Sequence, residues 1–265
     1  MFSRFQLAKK YLQYYLTASN GKGHGIHSPF VFDFVQHVLN DKTMYTPYQA
    51  IEQKRKNLLN DSSVIEVEDF GAGSSVIKTN KRLVKDIAAS SLKSKKYAQL
   101  LYRMVQHYKP QTLLELGTSF GISSAYLATA NENAVLHTCE GSAPIASIAK
   151  NSFNELGLKN IELSEGDFTD TLPPLLSKLK TVDFAFVDGN HRKAPTLEYF
   201  SKLLNASIQN SILVFDDIHW SAEMEEAWVA IKQQSAVTLT IDLFFIGIVL
   251  VNPDFKNSQH FTIRF

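Results

Sequence analysis

Residues 113–121 read Leu-Leu-Glu-Leu-Gly-Thr-Ser-Phe-Gly, and residues 122–130 continue as a helix-compatible stretch. An apolar strand carries an acid near its end, runs into a glycine turn, and the turn opens a helix. Such a turn forms a cradle in which backbone N–H groups and the helix N-terminus hold a polar ligand. Glycine lets the chain approach that ligand closely and adopt angles other residues avoid. Glu115, two residues before Gly117, puts negative charge where a phosphate would not want it. The cradle therefore favours a ligand with a cationic group.

Downstream of this turn the chain alternates short apolar runs with helix-compatible stretches. The runs are Thr112–Leu116, Ala134–Cys139, Ile161–Leu163, Val182–Val187, Ser211–Phe215, Val237–Leu243 and Phe245–Val251. Helical crossovers between the first five predict parallel strands. The last two are almost contiguous and predict an antiparallel hairpin. The expected fold is α/β, with a doubly wound, mostly parallel seven-stranded sheet closed by that hairpin. Upstream the pattern is helical. Phe5, Ala8, Tyr11, Leu12, Tyr15 and Leu16 recur at helical spacing. Ser28-Pro29 is a helix start, and that helix is expected to run to Leu39. Ile51 to Leu59, Lys81 to Ser91 and Ser94 to His107 read as further helices, and residues 61–80 as loop. The expected division is a helical N-terminal extension or cap over 1–92 and a ligand-binding domain over 93–265.

The chain is 265 residues long, 45% of them hydrophobic, enough for a sizeable core. No apolar run approaches the roughly 20 residues needed to span a bilayer, so no membrane partner is expected. The first residues lack a signal-peptide pattern, and Cys139 is the sole cysteine. Both point to a reducing, cytoplasmic setting, with Cys139 read as a buried strand residue. The net charge of +1 is unevenly spread. Residues 1–110 hold 17 Lys+Arg against 8 Asp+Glu (+9), and residues 111–265 hold 10 against 18 (−8). A basic half offers contact with nucleic acid; the blander reading is Lys-rich solvated helix faces.

In open parallel sheets ligands bind beyond the carboxyl ends of the strands. Here those ends carry Glu115 with Gly117, then Glu140, Gly166-Asp167, Asp188 and Asp216-Asp217. Five consecutive acid-bearing strand ends exceed what solvation alone demands. Glu140 lies about 20 residues past the turn, where nucleotide-binding folds set an acid against ribose hydroxyls. Asp167, on a loop one strand further out, is suited to accept from an adenine amino group.

With those residues in order, the chain over about 96–265 resembles the class I S-adenosylmethionine-dependent methyltransferases, whose fold is Rossmann-like. The likeness rests on Glu-Leu-Gly-Thr-Ser-Phe-Gly, Glu140, Gly166-Asp167 and the terminal hairpin. It implies that Glu115, Gly117, Thr118, Ser119 and Gly121 hold the methionine part of the cofactor. Glu140 would take the ribose and Gly166-Asp167 the adenine side. The acid before the glycines then answers an ammonium and a sulfonium. Phe186-Val-Asp-Gly-Asn-His191 and Val214-Phe-Asp-Asp-Ile-His219 resemble the metal-dependent, catechol-type O-methyltransferases. By that likeness Asp188, Asp216 and Asp217 bind Mg²⁺, with Asp188 also beside the cofactor, and the substrate is a small hydroxylated molecule. Three oxygen donors suit a hard divalent ion, which lowers the pKa of a hydroxyl and orients it. His191 or His219 would take the proton, making Asp188, His191 and His219 the expected catalytic set. Many catechol-type enzymes carry a Lys just after the first Asp; this chain has Asn190-His191-Arg192-Lys193 there.

Three other readings stay open at this level. Gly117-Thr-Ser119-Phe-Gly121 fits the nucleophile elbow of serine hydrolases, with Ser119 as nucleophile; it leaves Glu115, Glu140 and Asp167 unexplained. An RNA methyltransferase acting on ribose or tRNA hydroxyls would use the basic half, whereas Asp188-Gly-Asn-His lacks the Pro-Pro motif of base-amino methylation. A non-catalytic binding module of the same fold is the third. Finally, Val64 to Gly73 imitates the glycine turn but leads into a charged stretch, so it reads as loop. In Gly23-His-Gly-Ile-His, both His24 and His27 read as structural.

Overall fold

The structure is a computed structural model and describes residues 1–22, 27–67, 81–252, 254–255 and 257–265. His24 and the Gly71-Ala-Gly73 turn lie outside the described residues. In chain order the helical part comprises α1 (Arg4–Thr17), α2 (Pro29–Asp33), a π-helical turn (Phe34–Leu39) and α3 (Pro47–Asn60). A two-stranded ribbon of β1 (Val64–Glu66) and β2 (Lys81–Leu83) follows, then α4 (Val84–Ser91) and α5 (Lys95–Tyr108). The alternating part runs β3 (Thr112–Leu116), α6 (Ile122–Ala130), β4 (Val135–Glu140), α7 (Ala143–Glu155), β5 (Ile161–Glu165) and α8 (Phe168–Leu179). It continues with β6 (Val182–Val187), α9 (Lys193–Ala206), β7 (Ser207–Asp216), α10 (Ala222–Lys232), β8 (Leu239–Asp242), β9 (Ile246–Val251) and β10 (Gln259–Thr262).

The chain forms two compact units, residues 42–179 and residues 1–41 with 180–265. In the first, β3, β4 and β5 pair in parallel in that order, with Glu115 in register with Thr138 and Glu140 with Glu165. All three carboxyl ends therefore open on one edge. The interior is dense: Leu113, Leu114 and Leu116 of β3 and Ile122, Ala125 and Leu127 of α6 are fully buried. β3 accordingly reads as a continuous apolar run rather than an alternating one, as buried parallel strands do.

In the second unit the strand order is β10-β8-β9-β7-β6. β6 and β7 are parallel, while β7–β9 and β8–β9 are antiparallel. The fold is α/β, and the expected hairpin is β8–β9. The seven expected strands are all present. β10, not anticipated, adds an eighth by pairing parallel to β8. Its neighbours stitch α1 down: Ser19 bridges Ile263, and the Tyr14 hydroxyl donates to the Ile263 carbonyl. The backbone N–H of Phe265 in turn donates to the Tyr14 hydroxyl at 3.2 Å. α1 starts with a reciprocal capping box between Ser3 and Gln6. It packs Leu7, Tyr11, Tyr14 and Ala18 against Phe244 and Phe245.

Three local expectations are corrected. Lys81–Leu83 is a strand and not the first turn of a helix; its pairing to Val64–Glu66 also gives structure to part of the expected 61–80 loop. The helix expected from Ser28 to Leu39 changes pitch at Phe34, and Asn40 N–H reaches the Val35 carbonyl at 3.2 Å. That five-residue span is the wider π-type turn.

Candidate functional site

The glycine turn after β3 is held by the strand beside it. The N–H groups of Gly117 and Thr118 both donate to the Cys139 carbonyl, at 3.0 and 3.2 Å. Gly117 and Gly121 take φ of 102° and 83°, a region open to glycine at little cost. At Gly121 a Cβ would also overlap the Phe153 ring. Ser119 takes a positive φ of 48° without being glycine, a conformation that clusters at ligand clamps. Its Oγ sits 2.8 Å from Ser91 Oγ.

Glu115 is completely buried. One oxygen, Oε2, accepts from Ser124 Oγ and, at 2.7 Å, from Thr138 Oγ1; Thr138 in turn contacts Thr118 Oγ1 at 2.6 Å. The other, Oε1, is buried without a hydrogen bond among the described residues. Burial pushes the carboxyl up to about 7, against the opposing hydroxyls of Ser123, Ser124 and Thr138. A buried, half-satisfied carboxylate is costly alone, a cost that a cationic partner would offset. Sequence reasoning missed Ser124 and Thr138. The register of β3 on β4 was the signal that held Thr138, which stands directly opposite Glu115.

Glu140 ends β4. Oε2 accepts the Ser119 N–H at 2.9 Å and Oε1 the Ser142 N–H at 3.0 Å. Burial raises its pKa against those amides. Each oxygen takes one amide, and a carboxylate oxygen has room for a second donor. Gly166, with φ 128°, donates its N–H to the Glu140 carbonyl at 2.9 Å. Asp167 Oδ1 accepts from the N–H and hydroxyl of Thr169, both at 2.7 Å, so it also caps α8. Cys139 is buried, and burial lifts its thiol to about 11; it stays protonated at neutral pH.

In the other unit a second set of groups converges. Ligand atoms of Asp188, His191 and Asp216 all lie within 4.8 Å of one another, and His191 Nε2 is 3.5 Å from Asp188 Oδ1. Asp216 is buried at the end of β7, and Asp188 follows β6. Parallel pairing of β6 with β7 brings those two ends together. Asp217 is outside this group. Its backbone is left-handed, φ 53°, and its N–H donates to the Phe245 carbonyl at 2.6 Å.

His219, expected as a proton acceptor, is engaged elsewhere. Nδ1 contacts Glu225 Oε1 at 3.0 Å and Nε2 contacts Asp242 Oδ2 at 2.9 Å. Burial pulls its pKa down, but the two carboxylates outweigh it and hold it above the usual value. The Trp228 indole N–H also donates to Asp242 at 3.2 Å, and Lys10 donates to both oxygens of Glu225. With both nitrogens on carboxylates, the ring is a clamp rather than a base. Several cations of the basic half are likewise absorbed: Lys54 pairs with Glu155 and Arg55 with Glu52.

Residues 114–218 match the model of a methyltransferase domain family. Similar solved structures include the O-methyltransferase TomG from Streptomyces achromogenes, involved in tomaymycin synthesis and solved with SAM. It is 25% identical, with TM-score 0.54 over 61% of this chain and 82% of its own. An O-methyltransferase from Bacillus cereus in complex with SAH is 19% identical, with TM-score 0.55 over 82% and 96%. The SAH-bound methyltransferase PaMTH1 from Podospora anserina is 12% identical, with TM-score 0.56 over 94% and 96%. No curated protein matches the chain by sequence.

Proposed function

We propose that this chain, an S-adenosylmethionine-dependent methyltransferase of the class I fold, methylates a hydroxyl of a small molecule with the help of a divalent ion. The observation that carries the hydroxyl chemistry is the convergence of Asp188, His191 and Asp216. Two carboxylates drawn together repel unless a cation or a proton sits between them. Oxygen donors from adjacent strand ends are the ligand type a hard ion such as Mg²⁺ takes.

The residues of the glycine turn fit the cofactor. Glu115 offers a buried carboxylate to the ammonium end, and Gly117, Thr118, Ser119 and Gly121 shape the backbone around it. Glu140 has lone pairs for two ribose hydroxyls and would repel a phosphate there. Gly166 and Asp167 serve the adenine side. S-adenosylmethionine, when bound, supplies an electrophilic methyl group. Asp188 and Asp216 would hold a divalent ion, which supplies Lewis acidity toward a substrate oxygen. Asp217, next in sequence to Asp216 but outside this group, stays a proposed further oxygen donor. His191 is the proton acceptor: its Nε2 lies 3.5 Å from Asp188 Oδ1, close enough for that carboxylate to orient the ring. The protein's main task is positioning, since in-line displacement gains most from held geometry.

The hydrolase reading loses support because Ser119 Oγ meets Ser91 and not a histidine. The test is methyl transfer from radiolabelled S-adenosylmethionine to a panel of hydroxylated aromatics, with Mg²⁺ or with EDTA. Turnover that needs Mg²⁺ is expected. Turnover indifferent to EDTA removes the metal, and transfer to tRNA in preference to the panel removes the small-molecule substrate.

A further inference from the structure

We propose that the outward face of α1 docks onto an anionic lipid surface. α1 is apolar on two opposite sides. Leu7, Tyr11, Tyr14 and Ala18 face the protein and pack on Phe244 and Phe245. Phe5, Leu12 and Leu16 stand on the far side, 80%, 58% and 70% exposed. Their i, i+7, i+11 spacing sets them in one stripe along the helix. An isolated surface leucine needs no explanation, but a stripe of three large side chains opposite an already buried face does.

The charge around the stripe selects its partner. Residues 1–32 contain no Asp or Glu, and α1 carries Arg4, Lys9 and Lys10. Lys10 is spent on Glu225, while Arg4 and Lys9 are exposed. A second copy would set Arg4 and Lys9 against the same cations with no acid in either helix to answer them. Anionic headgroups answer both. Apolar side chains at the apex with Lys/Arg able to reach headgroup depth are the pattern of a helix lying in the membrane interface. Beside the stripe, Leu7, Ala8, Tyr11 and Phe245, with Arg4 at the rim, line an apolar groove of about 340 Å³. Among the described residues no helix is long and apolar enough to cross a membrane. Surface attachment needs none.

Vesicle flotation with the full chain tests this. Vesicles of phosphatidylcholine with phosphatidylglycerol should retain the protein at low salt, pure phosphatidylcholine should not, and high salt should release it. The triple variant F5S/L12S/L16S should lose about tenfold or more in partitioning, with S-adenosylhomocysteine affinity as the check that it is folded. R4E/K9E, which leaves the apolar stripe of Phe5, Leu12 and Leu16 in place, should lose binding to the anionic vesicles as well. Failure of the wild-type chain to float with anionic vesicles overturns the proposal, as does equal binding by either variant. So does sedimentation showing a dimer that the triple variant converts to monomer, because a second copy would then cover the stripe.

Discussion

The glycine turn after β3 and the acid group at the ends of β6 and β7 are built on different principles. The turn is fixed before any ligand arrives. Gly117 and Thr118 hang on the Cys139 carbonyl, and both oxygens of Glu140 grip backbone amides. The group of Asp188, His191 and Asp216 instead gathers two carboxylates and an imidazole around a shared point. One is a mould, and the other is a set of donors whose arrangement favours a positive centre. Binding and chemistry should therefore fail separately when each is damaged.

The harshest test of the mould is Gly121→Val. A β-branched residue at φ 83° is strained, and its Cβ would enter the Phe153 ring. S-adenosylhomocysteine affinity by calorimetry should fall by about 100-fold or more. Binding close to wild type would mean the turn adapts and is no mould. On the other side, Asp216→Ala should cut turnover by at least about 100-fold while leaving S-adenosylhomocysteine affinity within about twofold. Loss of both together would dissolve the contrast between the regions.

Glu140→Ala is smaller, about tenfold in cofactor affinity, through lost charge-assisted hydrogen bonds. A pH dependence tests Glu115 in turn. Glu115 has a folded pKa of about 7, against 4.5 for an ordinary glutamate. Below 4.5 both folded and unfolded chains hold the proton; between the two values only the folded chain does; above 7 neither does. The buried charge thus removes stability as pH rises through this window, on the order of 3 kcal/mol in the ligand-free protein. Thermal midpoints measured from pH 5 to 8 should fall, and Glu115→Gln should flatten the trend. A cofactor ammonium reverses the sense, because it favours the carboxylate. Affinity should rise with pH through about 7, and a flat profile would detach Glu115 from the ligand.

Much of this was legible in the sequence because buried parallel strands announce themselves as apolar runs and their acids sit at fixed ends. What escaped depended on partners distant in sequence. β10 is a short strand of mixed polarity, Gln259–Thr262, with nothing local to mark it until it pairs with β8. His219 sits beside the Asp216-Asp217 pair in sequence, yet Asp242 and Glu225 claim it from β8 and α10. In sequence α1 presents a single apolar pattern, whereas Tyr11 and Leu12, adjacent in sequence, serve opposite faces.

The stitching of α1 to the strand at β10 has a consequence during synthesis. Tyr14 and Ile263, which share a hydrogen bond, are 249 residues apart. At roughly 5–20 residues per second, a ribosome needs on the order of 12–50 s to supply the second after the first. Throughout that interval both apolar sides of α1 are bare, and the nascent chain offers a chaperone or a nearby bilayer the inward face as well as the outward one.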